Sequence, residues 1–259
     1  MSRAVYLYCV VSSARKPRIG GVPPGLPGAE RPAPVQLDDG LWLVTASVPL
    51  DRYGPEPLEA SLRDLDWVAS IALAHEAVVE FFVRSPGASV IPMKLFTMFS
   101  TDGRASAEMR KRRRELGRVF ERIAGCEEWG VRVMQGRLRV PRRATLKPPA
   151  SGAAFLRARK EARDESRDAA AATFEAADAA FTALAEIARE GRRRADEAAG
   201  VTAPALDAAF LVPLRRRARF RTEAARLAKT VSASGGEMTL SGPWPPYNFV
   251  SPSPGEPRP

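Results

Sequence analysis

Residues 64–97, DLDWVASIALAHEAVVEFFVRSPGASVIPMKLFT, constrain the fold more than any other stretch, because the apolar pattern changes from helical to extended across a single turn. Taking Leu65 as zero and advancing 100° per residue, Leu65, Val68, Ala72, His75, Val79 and Phe82 fall within about 100° of one another and form one apolar stripe. Trp67, Ile71, Val78 and Phe81 widen it. Ser70, Glu76, Glu80 and Arg84 take the other side, with Glu80 four residues ahead of Arg84 as a favourable pair. Asp64 is placed to cap the unpaired amides of the first turn, and Ser85-Pro86-Gly87 ends the helix. Residues 89–96 are predicted to be a buried strand.

The rest of the first half supplies a sheet for this helix. Residues 3–11 are rich in Val, Tyr and Leu and are predicted to form its central strand. Residues 12–34 are dense in Pro and Gly and form a loop. Their GGVPPGLPG lacks the Lys-Ser/Thr and the following helix that a phosphate-binding loop requires. Residues 35–37 and 41–48 flank Asp38-Asp39-Gly40 as a hairpin whose glycine supplies a positive φ. Residues 55–62 form a short helical turn with a proline near its start. Residues 106–124 are predicted as one basic amphipathic helix, with Met109, Leu116, Val119, Phe120 and Ile123 inward and a basic cluster at 110–114 that opposes the helix dipole.

In the second half, residues 128–134 alternate as a strand and a proline-containing cationic segment follows at 135–150. Residues 151–189 then run as one alanine-rich helix without internal proline. Ala170, Phe174, Ala177, Phe181, Leu184 and Ala188 recur at steps of four and three, the spacing of a packed seam, and Phe155 and Leu156 are placed to anchor the start of the helix. Residues 206–214 are predicted as a buried strand, 215–230 as a second basic helix, 237–240 as a last strand, and a further strand falls near 192–197. That alternation is α+β: a small mixed sheet with helices in residues 1–124, and a modified ferredoxin-like domain with a long helix in 125–250. Residues 241–250, SGPWPPYNFV, are proline-rich yet carry three aromatic rings, so they are expected to pack back on the second domain. Residues 251–259 lack apolar anchors and are expected to be disordered.

These segments resemble, in order, the GvpF/GvpL family of gas vesicle proteins. The resemblance rests on Asp64, Leu65, Asp66, Trp67, His75, Glu76, Val78, Pro92, Lys94, Thr97 and Phe99, then on EWGV around Trp129, SGAAFLRARK at 151–160, AFLVP at 209–213, and GPWPPY with Trp244, Pro245, Pro246 and Tyr247. The loop 12–34 and Phe155, where the family often has tyrosine, depart from the pattern. The resemblance implies a cytoplasmic, non-enzymatic accessory factor that binds the small hydrophobic shell protein of the gas vesicle, with other gas vesicle accessory proteins as further partners. It supports formation of that organelle without a cofactor. Trp67, His75, Glu76, Pro92, Trp129, Trp244, Pro245, Pro246 and Tyr247 are then structural or partner-binding candidates. Arg157, Arg159 and Arg163, on the long helix, are candidate partner contacts.

Composition narrows the alternatives. At 45% hydrophobic the chain can bury a sizeable core, and its apolar runs are broken well short of the roughly 18–20 residues of a membrane span. The net charge of +10 raises nucleic acid as a partner, through the clusters at 110–114, 192–194 and 215–217. Against it, no recognition motif is present and aromatic residues are not interleaved with the basic ones. A small-molecule enzyme on a ferredoxin-like fold is the other alternative, and its chemistry is hard to find. His75 is the one histidine, HEAVV places Val79 where a zinc motif needs its second ligand, and there is no GxSxG elbow. Asp64 and Asp66 face different directions on a helix, and Lys94 is expected to pack its stem and free its ammonium at the strand's end. His75 is therefore read as structural, bonded to a neighbouring strand or loop. Cys9 and Cys126 have neither CxxC nor Cys/His spacing and are read as small buried thiols in a reducing compartment.

Overall fold

The protein, described by a computed structural model over residues 2–136, 152–194 and 203–250, divides into two compact units. One is Met1–Gly125 together with the tail from Trp244; the other is Cys126–Pro243.

The first unit is built around β1 (Arg3–Ser12), whose residues from Ala4 to Val11 are all buried. A strand buried on both faces must be central, and it is: β2 (Ala33–Asp38) and β3 (Leu41–Pro49) lie on one side, β4 (Ser89–Pro92) and β5 (Met98–Phe99) on the other. Gly40, at φ 72°, closes the β2–β3 hairpin. All pairings of this sheet are antiparallel, so it is not mixed as the sequence suggested. The short helices α1 (Leu50–Tyr53) and α2 (Pro55–Ser61) lead to α3 (Leu65–Val83). Asp64 caps α3 by accepting from the amides of Asp66 and Trp67, and Arg84 meets Glu80 at 2.6 Å.

The buried stripe of α3 is rotated from the expected one. Ile71, His75, Val78, Val79 and Phe82 face the sheet, whereas Leu65 is 80% exposed. The sequence period is degenerate here, because most residues of the helix are apolar, and packing decides which arc is covered. The strand expected over 89–96 also breaks. Pro92 ends β4, Lys94 is exposed on a turn closed by Thr97 N to Lys94 O at 3.2 Å, and the chain rejoins the sheet as β5. The basic helix over 106–124 is two helices, α4 (Asp102–Lys111) and α5 (Arg113–Ile123). The break at Arg112 puts Arg110 and Lys111 at the C-terminus of α4, where the dipole favours cations rather than opposing them.

The second unit runs β6 (Cys126–Gln135), α6 (Gly152–Ile187), β7 (Glu190–Arg193), β8 (Leu206–Pro213), α7 (Arg217–Ala233) and β9 (Gly236–Trp244). Its sheet order, β7-β8-β6-β9, with this β-α-β-β-α-β succession, is the ferredoxin-like arrangement. Trp129, Val131 and Val133 of β6 and Ala208, Phe210 and Val212 of β8 meet Ala177, Ala180, Leu184 and Ile187 of α6, with Phe220, Ala224, Leu227 and Val231 of α7. The α7 steps of four, three and four are the helical period of one inward face. Of the expected seam of α6, Ala177, Leu184 and Ala188 are buried and Phe181 packs against the core, whereas Phe174 is exposed and Thr173 and Ala180 take inward places. The last residues also differ from expectation. From Trp244 they group with the first unit, where a 3-10 turn at Tyr247–Phe249 lies against α5 and buries Phe249. The segment read as cationic at 135–150 beyond Gly136, the end of the strand near 192–197 and the tail 251–259 lie outside the described residues.

Candidate functional site

Two places collect the residues singled out by the sequence. The first is the contact between α3 and β1. Tyr6 and Tyr8, two residues apart on β1, set their rings 4.8 Å apart. Tyr8 stacks on His75 at 5.6 Å, and the Tyr247 ring comes to 6.5 Å from it. Tyr6 Oη lies 2.8 Å from His75 Nδ1 and accepts the amide of Phe96 at 3.2 Å. Tyr6 and the imidazole thus share one hydrogen bond whose donor is set by the ring tautomer. Nε2 closes no hydrogen bond with a described residue, although the Met93 carbonyl nearby slightly favours the charged ring. Burial outweighs that carbonyl and lowers the His75 pKa to about 4, so the ring is neutral at pH 7. Burial also pushes the Tyr6 hydroxyl well above its ordinary value and the Tyr8 hydroxyl up to about 12.

The same cluster fixes the loop over 13–32. Leu26 N donates to Tyr8 Oη at 3.0 Å, and Tyr53 Oη donates to the Pro27 carbonyl at 2.9 Å. Gly25 must be glycine, since it has φ 77° and a Cβ there would stand 2.5 Å from Tyr8 Oη. On the other flank Phe96 holds φ 63°, a left-handed conformation unusual for a bulky side chain, and stacks parallel on Trp67 at 5.9 Å. Pro92 is buried opposite Cys9, and Glu76 is half-buried with its carboxyl raised by burial and then by Glu80. Trp67, His75, Pro92 and Tyr247 therefore belong to one unit. Pro245 and Pro246 are buried beside Tyr247 in the chain, and Trp244 is 40% exposed. Trp129 belongs to the other unit, where its Nε1 donates to Glu127 Oε1 at 2.8 Å and Glu127 receives Arg217 through two bonds of 2.7 and 2.6 Å. Tyr6, Tyr8 and Phe96 were not singled out from sequence. The paired tyrosines on one strand were a visible signal, whereas the left-handed turn at Phe96 had none.

The second place is the start of α6. The helix is 36 residues long, about 54 Å at 1.5 Å per residue, yet burial begins only near its middle, with Thr173. Every described side chain from Gly152 to Arg163 is exposed, including Arg157, Arg159 and Arg163. Phe155 and Leu156, expected to anchor the helix, are 52% and 65% exposed. Neither side chain is buried, so the expected anchor does not form.

Most arginines of the other clusters are held within their own units. Arg110 donates to the Leu37 carbonyl, Arg112 pairs with Glu115 and Arg113 with Asp38. Arg192, Arg193 and Arg194 meet Glu190, Asp178 and Asp207, Arg216 donates to the Ile187 carbonyl, and Arg217 holds Glu127. Cations held this way are poorly placed to track a phosphate backbone. Cys9 is buried and Cys126 half-buried, both as free thiols. Among the described residues no group of three His, Cys, Asp or Glu is placed to hold a metal ion, and no helix is long and apolar enough to cross a membrane.

Known proteins share both the sequence pattern and the architecture. The family model for gas vesicle synthesis protein GvpL/GvpF matches residues 4–251. Gas vesicle protein L of Streptomyces sp. (strain CB03234) is 32% identical over 260 residues, covering 96% of this chain and 93% of that protein. The crystal structure of the gas vesicle protein GvpF from Anabaena sp. PCC7120 superposes with a TM-score of 0.65 at 17% identity, over 97% of this chain and 98% of its own. That of GvpF from Microcystis aeruginosa gives 0.65 at 15% identity, over 96% and 99%. At such identities the two structures speak for the fold, and the family rests on the sequence match. The chain belongs to the GvpL/GvpF family of gas vesicle synthesis proteins.

Proposed function

We propose that this protein is a cytoplasmic assembly factor of the gas vesicle that binds the hydrophobic shell protein and supports nucleation or growth of the shell, without enzymatic chemistry. The observation that carries this reading is the uncovered first third of α6, where Phe155 and Leu156 stand in solvent beside Arg157, Arg159 and Arg163. Exposed aromatic and aliphatic side chains on a projecting helix cost solubility unless a partner covers them. A very hydrophobic subunit must in turn be covered before it assembles. The motif positions His75, Pro92 and Trp129, which are buried, and Trp67 and Tyr247, which are half-buried, act in this reading by holding the two units in shape, and other gas vesicle proteins are further partners.

Co-expression with the shell protein of the same genome, followed by affinity pull-down, tests it. The wild type retains soluble shell protein, and R157E/R159E/R163E retains several-fold less. Equal retention by the triple variant removes α6 from the contact. A wild type that leaves the shell protein aggregated, yet holds RNA at moderate salt, overturns the reading in favour of nucleic acid.

A further inference from the structure

The second unit has a built place for one more strand. β9 pairs with β6 on one side, and among the described residues no strand pairs with its other side, so over Gly236–Leu240 backbone amides and carbonyls face outward. Beside that edge, on the face of the sheet that carries the helices, lies a groove of about 530 Å³ lined by Met238 and Leu240 of β9 and by Ala218, Arg221, Ala225 and Ala228 of α7. Side chains alternate along a strand, so every second residue of an added strand would point into this groove while its backbone paired with β9. The alanines of α7 leave the room those side chains need.

We infer that the β9 edge and the α7 groove take up an extended segment of the protein partner, with apolar side chains at alternate positions and a carboxylate that meets Arg221. Charge selects this occupant. Arg221 is the one charged residue lining the groove, and its guanidinium rests 6.0 Å from the Trp129 ring, free to turn toward a bound acid. A second copy of this chain fits poorly. Pairing β9 with its own copy brings two α7 helices together, each carrying Arg219, Arg221, Arg226 and Lys229 against the single carboxylate of Glu223, with Arg217 already held by Glu127.

The inference rests on the shell protein being the partner, and the same pull-down separates the two. Ala225→Trp fills the groove from an exposed helix position, and Arg221→Glu reverses its charge. Both variants should keep the wild-type circular dichroism and unfolding midpoint, and A225W is expected to lower retained shell protein at least tenfold. R221E gives a second, independent loss of threefold or more. If wild type and both variants retain shell protein equally, the groove is not the docking site and the assembly reading stands. If the wild type retains none, the reading and the inference fall together. If light scattering shows a wild-type dimer that A225W converts to monomer, the edge belongs to a second copy and the inference is overturned.

Discussion

Replacing Phe249 by alanine tests where the end of the chain belongs. The side chain has no solvent exposure, and it is carried by a 3-10 turn held by the local bonds Tyr247 N to Pro245 O at 2.8 Å and Phe249 N to Pro246 O at 3.0 Å. Removing a fully buried phenyl ring costs ~3–5 kcal/mol, part from lost transfer and part from the cavity. The tail can instead leave its site, so the loss is capped at the free energy of docking the turn. Taking the lower figure, opening of the docked turn becomes about 100-fold more frequent. Hydrogen exchange read by mass spectrometry resolves the outcome by location. In F249A the amides of the tail and of α5 are expected to exchange faster by about that factor, with the β1 and α3 peptides around Tyr6 and His75 following. Those of α6, β8 and α7 should keep their wild-type rates. Acceleration in α7 and β9 with α5 untouched would refute this and return the tail to the second unit.

Three further outcomes follow from the packing. The folded pKa of His75, about 4, lies below the ordinary value near 6.5, so the unfolded chain binds the extra proton between those pH values. The stabilisation is whole above about pH 6.5 and is lost toward pH 4, by up to ~3 kcal/mol. Urea midpoints of the wild type should fall across that window and those of His75→Gln should fall less; parallel curves would contradict it. At Phe96, glycine relieves the left-handed φ while alanine keeps it, so F96G is expected to unfold at a higher urea concentration than F96A, by ~1 kcal/mol, although both lose the stack on Trp67. Arg217→Ala strips the buried Glu127 carboxylate of its cation and leaves it one bond from Trp129, which should destabilise the second unit by ~1–3 kcal/mol; a neutral result would mean that water replaces the guanidinium freely.

Much of the fold was legible because local chemistry agreed with tertiary demand. Asp64 capped the helix it was expected to cap, the β2–β3 hairpin turned on Gly40, and the strand-helix alternation from β6 to β9 was enough to reach a ferredoxin-like domain. The failures have one physical source: a pattern says that a face is apolar, not what will cover it. Leu65 satisfies the period of its helix and Phe155 was expected to anchor the start of its own, yet both stand in solvent. The tail was given to the wrong unit because Trp244, Tyr247 and Phe249 announce burial without naming an address. Within the site, His75 was legible as a bonded histidine, but its partner Tyr6 lies 69 residues away and is chosen by strand order. The Arg112 break was masked by good helix formers on both sides.

The return of the chain at Trp244 also sets an order in time. A ribosome must synthesise all of Cys126–Pro243 before it makes the turn that buries Phe249 in the first unit, an interval of roughly 6–24 s at ordinary elongation rates. For that interval the earliest part of the protein waits with an unfilled apolar socket, while the second unit can fold. A chain that stops anywhere within the second unit therefore carries its defect in the first, where the socket that Phe249 fills stays open.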